Sequence, residues 1–289
     1  LQQLGAEVTS LGRSEQFISV DTEAIRPEDV TLAKQWSEHY DFDCIISTDG
    51  DGDRPLVSDE KGNWLRGDVA GILCAQYLNS DTVVTPVSSN SAVEKSQLFT
   101  NIIRTKIGSP YVIEAMQQAQ TDNLEKTVVG YEANGGFLQQ TEISKNNKTL
   151  SPLPTRDAVI VPIAILLLAE KQQLTISELL KTLPQRYTCS DRLKEFAVEK
   201  SRQLIARLIA SDFNTNLANI KAQFPALVTP VDIDITDGVR ITFDNDEVVH
   251  LRPSGNAPEL RCYTESSSSE KAASLCQAVM VILVGLNKQ

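Results

Sequence analysis

The chain has 289 residues, which is enough for two or three domains with hydrophobic cores of their own. Its formal net charge is −11, so it lacks the basic surface with which proteins neutralise nucleic-acid phosphates. We therefore predict no nucleic-acid partner, and we expect any anionic ligand to be held by a few well-placed cations.

Cysteine usage and hydropathy predict a cytoplasmic protein with no membrane partner. The five cysteines are odd in number, widely spaced and without a C-x-x-C pair, which favours reduced thiols over disulfides or a zinc site. No signal-peptide pattern is present, and the longest apolar run, at 159–169, is too short to cross a bilayer. We expect that run to form a buried helix.

The first two thirds of the sequence alternate predicted helices with short predicted strands. Helices are expected where proline, acidic or polar residues precede apolar residues at helical spacing, and strands where apolar residues cluster. The helices are expected at 27–40, 68–78, 91–99 and 111–119, and the strands at 44–46, 82–87 and 127–129. This alternation is typical of an α/β fold with a parallel sheet, in which ligand-binding loops follow strands.

The last third of the sequence predicts a smaller α+β domain. A polar stretch at 146–157 is expected to be a loop, and the proline-containing stretch at 182–187 is expected to be a linker. Beyond the linker we predict a helix at 201–210, strands near 231–233, 239–241 and 248–251, and a helix from Glu270. The predicted fold class is α/β, with tandem α/β domains that contain mixed sheets, plus this C-terminal α+β domain.

The strongest chemical signal is an acidic loop at 48–54. Asp49, Asp51 and Asp53 alternate with glycines, which permit tight turns, so the three carboxylates can converge on one point. Two unit charges about 4 Å apart repel by roughly 4 kcal/mol at an effective dielectric near 20. Mg²⁺ removes that repulsion and favours carboxylate oxygens, which predicts a metal site; the alternative is a solvated acidic turn.

Two other kinds of acidic loop compete with this interpretation. An EF-hand requires glycine at the sixth loop position, where Arg54 stands, and a helix before the loop, where a strand is predicted. A Mg²⁺-dependent phosphatase with Asp49 or Asp51 as nucleophile stays open. This interpretation leaves the third aspartate, Asp53, without a role. The sequence also lacks the hydroxyl residue that such phosphatases are expected to have soon after the second aspartate.

A second signal is the segment R-P-S-G-N-A-P, which follows the last predicted strand. It offers a guanidinium, a hydroxyl, a flexible backbone and an amide, and a second guanidinium follows it. These groups belong to Arg252, Ser254, Gly255, Asn256 and Arg261. Charge-assisted hydrogen bonds of this kind contribute about 1.5–3 kcal/mol each, so the segment predicts a phosphate cradle, with a plain turn between strands as the alternative.

A third signal is the segment G-Y-E-A-N-G-G at 130–136. Glu132 and Asn134 can project to the same side of an extended loop and bond neighbouring hydroxyl groups of a sugar. A glycine-rich turn with a capping asparagine explains the same residues equally well. The segment alone does not decide between a sugar loop and a turn.

In this order, the three segments resemble the metal, sugar and phosphate loops of the alpha-D-phosphohexomutase superfamily, and most of all the bacterial phosphomannomutases. The resemblance covers nearly the whole chain. It implies an isomerase that interconverts hexose 6-phosphate and hexose 1-phosphate through a phosphoserine and a bisphosphate intermediate. Mannose is favoured by the likeness to phosphomannomutases, but glucose stays open because both sugars present similar hydroxyl groups to Glu132 and Asn134. The resemblance also implies Mg²⁺ as cofactor, hexose 1,6-bisphosphate as activator and a phosphosugar substrate, and a homodimer is compatible with it.

The same resemblance implies a role for each loop. Residues 1–66 would be a partial metal-loop domain, 67–181 a sugar-loop domain and 182–289 a phosphate-binding domain. Arg54 would face a phosphoryl group, and Lys106 would lie in a further substrate loop, although a solvent-exposed lysine is an equal alternative. The remaining assignments are Asp49, Asp51 and Asp53 to Mg²⁺, Glu132 and Asn134 to the sugar, and Arg252, Ser254, Gly255, Asn256 and Arg261 to its distal phosphate.

The sequence departs from the superfamily at two points. The loop that carries the phosphoserine does not occur, and the chain begins at Leu1, so we expect a fragment that lacks the phosphoserine domain and is inactive alone. Gly136 stands where the sugar loop usually ends in histidine, so the general acid and base stay unassigned. His39 and His250 are expected to be structural or solvent-facing. A non-catalytic sugar-phosphate binding module is the remaining alternative.

Overall fold

The computed structural model describes residues 1–145, 147–254 and 257–287. The chain forms two compact units. The first comprises Leu1–Ile103 and Gly108–Pro184, and the second comprises Arg104–Ile107 together with the residues from Gln185 onwards. The short stretch 104–107 therefore belongs structurally to the second unit.

Helices and strands alternate through the first unit, as predicted. Its helices are a short 3-10 helix at Gln2–Leu4 and α1 Pro27–Tyr40, α2 Gly67–Tyr77, α3 Ala92–Lys95, α4 Ser109–Asp122, α5 Ile160–Gln172 and α6 Ile176–Lys181. Its strands are β1 Ile46–Thr48, β2 Pro55–Val57, β3 Thr82–Pro86, β4 Asn101–Thr105 (of which the last two residues belong to the second unit), β5 Val128–Tyr131, β6 Phe137–Gln139, β7 Ile143–Lys145 and β8 Lys148–Leu150.

A four-stranded mixed sheet lies at the centre of the first unit, in the order β4-β3-β5-β6. The predicted parallel pairing is confirmed for β3 and β5. Strand β6 is antiparallel to β5, because the tight turn at 132–136 reverses the chain. The hairpins β1–β2 and β7–β8 are also antiparallel. Each candidate ligand loop of this unit follows a strand, as expected for an α/β sheet.

The core of the first unit is built around α2 and α5, which pack against each other. The apolar run at 159–169 is a buried helix as predicted, since Val161, Ile165 and Leu168 of α5 are at most 3% exposed. Gly71 lets α2 approach β5 closely, because a Cβ atom there would lie 2.5 Å from Cγ of the buried Tyr131. Each fully buried large apolar side chain contributes about 1.5–3 kcal/mol.

The second unit is the predicted α+β domain. Its sheet is antiparallel throughout and has the order β10-β11-β12-β13-β9. The strands are β9 Tyr187–Lys194, β10 Pro230–Asp234, β11 Val239–Phe243, β12 Val248–Pro253 and β13 Glu259–Ser266. The helices are α7 Val198–Leu208, α8 Phe213–Gln223 and α9 Ser269–Asn287.

Helix α9 packs on β9 and β13. Leu275, Val279 and Leu283 are buried in the core of the second unit. By length and composition α9 is also the one helix in the described ranges that is apolar enough to cross a membrane, with a mean hydropathy of 1.4 over Ser269–Leu286. A helix that covers one face of a sheet in a globular unit meets the same criterion.

Several predicted element boundaries were wrong. The stretch at 146–157, expected to be a loop, contains β8, and the helix expected at 91–99 is the single turn α3. The expected linker at 182–187 ends inside β9 at its last residue, Tyr187. Strand β9 was not predicted because its residues are all half-exposed or exposed and do not alternate; strand β13 and helix α8 were also missed.

Candidate active site

The acidic loop is closed by hydrogen bonds between its two ends. The Asp49 amide donates to the Arg54 carbonyl oxygen at 3.1 Å, and the Arg54 amide donates to Asp49 Oδ1 at 3.0 Å. Gly52 has a φ of 77°, which a non-glycine residue rarely adopts. The turn therefore depends on both the first aspartate and the second glycine of the loop.

The three predicted metal ligands converge. One carboxylate oxygen from each of Asp49, Asp51 and Asp53 lies within 4.8 Å of the others. Burial raises the pKa of Asp49 against the lowering effect of the Arg54 amide, and the two neighbouring carboxylates raise it further. Asp53 Oδ1 is buried without a hydrogen-bond partner within the part of the chain that the structure describes. These oxygens fit a hard divalent cation such as Mg²⁺.

Arg54 lies beside the acidic cluster. Its Nε atom is 3.6 Å from Asp49 Oδ2 and 3.5 Å from Asp53 Oδ1, and a third of its side chain is exposed. These distances are ion-pair distances rather than hydrogen bonds. Arg54 therefore balances part of the carboxylate charge while keeping an exposed face.

The sugar loop is a tight turn in which its own side chains take part. The Glu132 amide donates to the Gly136 carbonyl oxygen at 3.0 Å, and the Gly136 amide donates to Asn134 Oδ1 at 3.0 Å. The Thr22 hydroxyl donates to the Asn134 carbonyl oxygen at 2.6 Å. Asn134 is half-buried, and its amide oxygen stabilises the turn.

Glu132 is a buried carboxylate with a full set of donors on one oxygen. The residue is 4% exposed. Its Oε2 atom accepts hydrogen bonds from the Ser109 hydroxyl at 3.0 Å and from Nε and Nη2 of Arg156 at 3.2 and 3.1 Å. Ser109 is the first residue of α4, so this helix, the sugar loop and Arg156 hold the carboxylate together.

Arg156 is a residue of the candidate site that sequence reasoning missed. Its Nη1 atom donates to Asp53 Oδ2 at 3.0 Å, while Nε and Nη2 bind Glu132. One guanidinium thus joins the metal loop to the sugar loop. Burial opposes its charge, but the bonds to the two carboxylates outweigh burial and raise the pKa of Arg156. In the sequence, Arg156 is marked only by its position directly before Asp157. The Asp157 carboxylate accepts from the Val159 and Ile160 amides at the start of α5.

Glycines bring α2 and the metal loop close to the sugar loop. A Cβ atom on Gly67, the first residue of α2, would lie 2.1 Å from the Gly135 amide nitrogen. Gly135 has a φ of 92°, and a Cβ there would lie 2.8 Å from the carbonyl oxygen of Pro55, which begins β2. The position of the sugar loop therefore depends on backbone contacts that only glycine permits.

In the second unit, two predicted phosphate ligands lie side by side. Arg252 on β12 is directly opposite Arg261 on β13, and Arg261 is directly opposite Arg192 on β9. Directly opposite residues of an antiparallel pair project from the same face of a sheet. The register therefore creates a row of three arginines. Carboxylates of the chain already balance part of this charge, since Arg252 pairs with Asp237 at 2.8 Å and Arg192 with Glu259 at 3.6 Å.

Asp237 connects the end of β12 to the stretch that carries Lys106. Its Oδ2 atom accepts a hydrogen bond from Arg252 Nε at 2.8 Å and from the Ile107 amide at 3.0 Å. Lys106 is exposed. The Asp237 carboxylate therefore joins Arg252 to the Ile107 amide, next to Lys106 of the predicted substrate loop at 105–108.

The other predicted residues of the phosphate loop are only partly described. Ser254 is 5% exposed, and its amide donates to the Glu259 carbonyl oxygen at 2.9 Å. Gly255 and Asn256 lie outside the described residues. His39 is exposed on α1, and His250 is buried within β12 with its Nε2 atom 2.6 Å from the Asp237 carbonyl oxygen. His250 is therefore a buried strand residue.

Comparison with known proteins identifies the class to which this fold and these loops belong. Residues 66–187 match the phosphoglucomutase/phosphomannomutase alpha/beta/alpha domain III, and residues 197–281 match the C-terminal domain of the same proteins. The chain belongs to the phosphoglucomutase/phosphomannomutase family. Magnesium dependence is general in this family, and the acidic cluster fits it.

Particular relatives share most of this chain. It is 47% identical to a phosphomannomutase from Salmonella muenchen over 96% of its length, and 38% identical to one from Sinorhizobium fredii over 98%. It spans 57% and 58% of those two relatives. The fold matches a phosphoglucomutase/phosphomannomutase family protein from Burkholderia thailandensis with a TM-score of 0.65 at 18% identity, over 92% of this chain and 51% of that one.

Proposed function

We propose that this chain supplies the metal-, sugar- and phosphate-binding parts of a phosphomannomutase-type isomerase. The reaction interconverts hexose 6-phosphate and hexose 1-phosphate through a phosphoserine and a hexose 1,6-bisphosphate, with mannose as the preferred sugar. The observation that carries the proposal is that Asp53 of the metal loop and Glu132 of the sugar loop bind the same guanidinium. Two loops with different chemistry thus form one site in the first unit.

Asp49, Asp51 and Asp53 would hold Mg²⁺, which neutralises charge on a transferring phosphoryl group when it is bound. Arg54, beside two of these carboxylates, presents its exposed face to that phosphoryl group. Positioning and charge neutralisation account for most of the catalysis in phosphoryl transfer. Arg54 is therefore expected to affect turnover more than substrate affinity.

Sugar selection is assigned to the turn at 132–136. One oxygen of Glu132 accepts from Ser109 and Arg156, so the carboxylate is fixed in orientation before a sugar arrives. Asn134 is half-buried beside it. A pre-oriented acceptor loses little conformational entropy on binding a hydroxyl group, which favours affinity.

The distal phosphate is assigned to the second unit. Arg252 and Arg261 project from one face of the sheet, and two adjacent guanidiniums offer several N–H donors to a phosphate dianion. Ser254, Gly255 and Asn256 complete the proposed cradle, and Lys106 would contact the substrate from the stretch 105–107. The three-part division at 1–66, 67–181 and 182–289 remains part of this proposal.

A coupled mutase assay tests the function. The full chain is supplied with mannose 1-phosphate, Mg²⁺ and catalytic hexose 1,6-bisphosphate, with and without the part of the Salmonella relative that this chain does not match. We expect mannose 6-phosphate to form in the complemented arm, and Glu132→Gln to reduce its formation. Release of inorganic phosphate without mannose 6-phosphate would indicate a phosphatase, and binding without turnover in either arm would indicate a non-catalytic module.

A further inference from the structure

Arg156 makes four hydrogen bonds with three partners from different elements. Nη1 binds Asp53 Oδ2 at 3.0 Å, Nη2 binds the Ser109 hydroxyl at 2.7 Å, and Nε and Nη2 share Glu132 Oε2. About a fifth of the Arg156 side chain is exposed. A planar guanidinium fixes its partners in both distance and direction, which a lysine ammonium does not.

The sequence provides room for this side chain at Gly136. A Cβ atom at that position would lie 2.9 Å from Cδ and 3.0 Å from Nε of Arg156, which is closer than such contacts normally are. The backbone beside Arg156 is anchored, because the Asp157 amide donates to the Phe137 carbonyl oxygen at 3.0 Å. The stem of Arg156 thus lies against a glycine at the end of the sugar loop.

We propose that Arg156 is a positioning residue that opposes cation binding at the acidic loop while it orders Glu132 for the sugar. The inference rests on the proposed function for its sugar arm. Its charge neutralises Asp53 and Glu132 before either ligand arrives. A cation bound by the acidic loop must therefore tolerate a positive charge that already contacts Asp53. The sugar, in contrast, meets a carboxylate that Arg156 has fixed in place.

Loss of Arg156 should change the affinities for Mg²⁺ and for mannose 6-phosphate in opposite directions, whereas loss of a purely structural residue would lower both. Arg156→Gln removes the positive charge beside Asp53, so the affinity for Mg²⁺ alone should rise, by about three- to tenfold for a partly exposed pair. The same change frees Glu132 to move, so the affinity for mannose 6-phosphate in saturating Mg²⁺ should fall about tenfold or more. A variant that merely misfolds weakens both.

Isothermal titration calorimetry on the full chain measures both affinities, first with MgCl₂ alone and then with mannose 6-phosphate in saturating Mg²⁺. Arg156→Lys keeps the charge but loses the planar geometry. We expect its Mg²⁺ affinity to stay within about twofold of wild type, and its mannose 6-phosphate affinity to fall. Arg26→Gln is the matched control, because it removes an exposed arginine that pairs with Asp29 elsewhere in the first unit.

An unchanged or weaker Mg²⁺ affinity in Arg156→Gln would overturn the inference, whatever its effect on the sugar phosphate. So would an unchanged mannose 6-phosphate affinity in both Arg156 variants. If the wild-type chain binds Mg²⁺ but no mannose 6-phosphate, the proposed function fails, whereas the MgCl₂ titration still shows whether Arg156 opposes the cation. The two failures are therefore distinguishable.

Discussion

At the scale of single residues, close backbone contacts position the sugar loop. Gly67 lies where a Cβ atom would overlap the backbone of Ala133 and Gly135, at 2.5 and 2.1 Å. Backbone atoms of a hydrogen-bonded turn have little freedom to move aside. A single added methyl group at this position should therefore displace the loop that carries Glu132.

We predict that Gly67→Ala destabilises the chain by about 1–3 kcal/mol and weakens mannose 6-phosphate binding. Gly285→Ala is the control, because no atom lies within 4 Å of its added Cβ and it lies in α9. That change should be neutral or stabilising by about 0.5–1 kcal/mol. Urea unfolding and calorimetry measure both quantities, and equal behaviour of the two variants would contradict the contact argument.

His250 makes the stability of the second unit depend on pH. Burial lowers the pKa of His250 to about 4 from its ordinary 6.5, although its hydrogen bond to the Asp237 carbonyl oxygen works in the other direction. A histidine whose pKa is lowered by folding stabilises the fold fully above its unfolded pKa. This contribution is lost as the pH falls from about 6.5 through about 4.

Urea unfolding of wild type and His250→Gln between pH 7 and pH 4 tests this dependence. Each pH unit inside the window should cost the wild type about 1.4 kcal/mol more than the variant, which has no ring to protonate. Parallel pH profiles of the two proteins would show that His250 does not titrate in this way.

At the scale of elements, the hairpin between β10 and β11 supports the proposed phosphate cradle. Its Asp237 carboxylate accepts from Arg252 and from the Ile107 amide, and both Asp237 and Arg252 have about a fifth of their side chains exposed. Gly238 has a φ of 82°, which permits the turn. The hairpin thus orients Arg252 and holds the stretch that carries Lys106.

Asp237→Asn should therefore cost about 1–2 kcal/mol of stability in the second unit, because the ion pair with Arg252 is lost and an amide oxygen accepts more weakly than a carboxylate. It should also weaken mannose 1-phosphate binding, since Arg252 loses its orienting carboxylate. Asp244→Asn, in the exposed turn after β11, removes the same charge as a control. Loss of affinity in both variants alike would point to net charge rather than to this contact.

The elements also show which sequence patterns were informative. Helix α1 was predicted because proline, acidic residues near its start and apolar spacing agree, and α5 because a long apolar run indicates a buried helix. Strand β9 was missed because it reads Y-T-C-S-D-R-L-K, and its residues are mostly half-exposed or exposed. Its position is determined by pairing with β13, which is remote in sequence. Local pattern carries no information about such pairing.

The residues of the candidate site likewise fall into those that were predicted from a local pattern and those that were missed. Asp49, Asp51 and Asp53 were predicted to converge because they share one loop, and the structure brings their oxygens together. Arg156 was missed because its partners, Asp53 and Glu132, are 103 and 24 residues away in sequence. The row formed by Arg252, Arg261 and Arg192 likewise depends on strand register. A side-chain network that joins distant segments of the sequence can be recognised only once the fold is known.

At the scale of the whole molecule, the two compact units hold complementary chemistry. The first carries the acidic loop and Glu132, and the second carries Arg252, Arg261 and Lys106. Under the proposed function, the first set would bind sugar hydroxyl groups and the second set would bind an anionic group. Under the same proposal, Mg²⁺ would neutralise the acidic loop when a phosphate is near.

The central claim is that this chain binds hexose phosphate in a metal-dependent way, and one calorimetric titration tests it most directly. Mannose 6-phosphate is titrated into the full chain with and without Mg²⁺, and into Arg252→Gln with Mg²⁺. We predict one site per chain, tighter by about tenfold or more with Mg²⁺, and at least about tenfold weaker in the variant. Absence of binding, or binding that responds neither to Mg²⁺ nor to Arg252→Gln, would contradict the account.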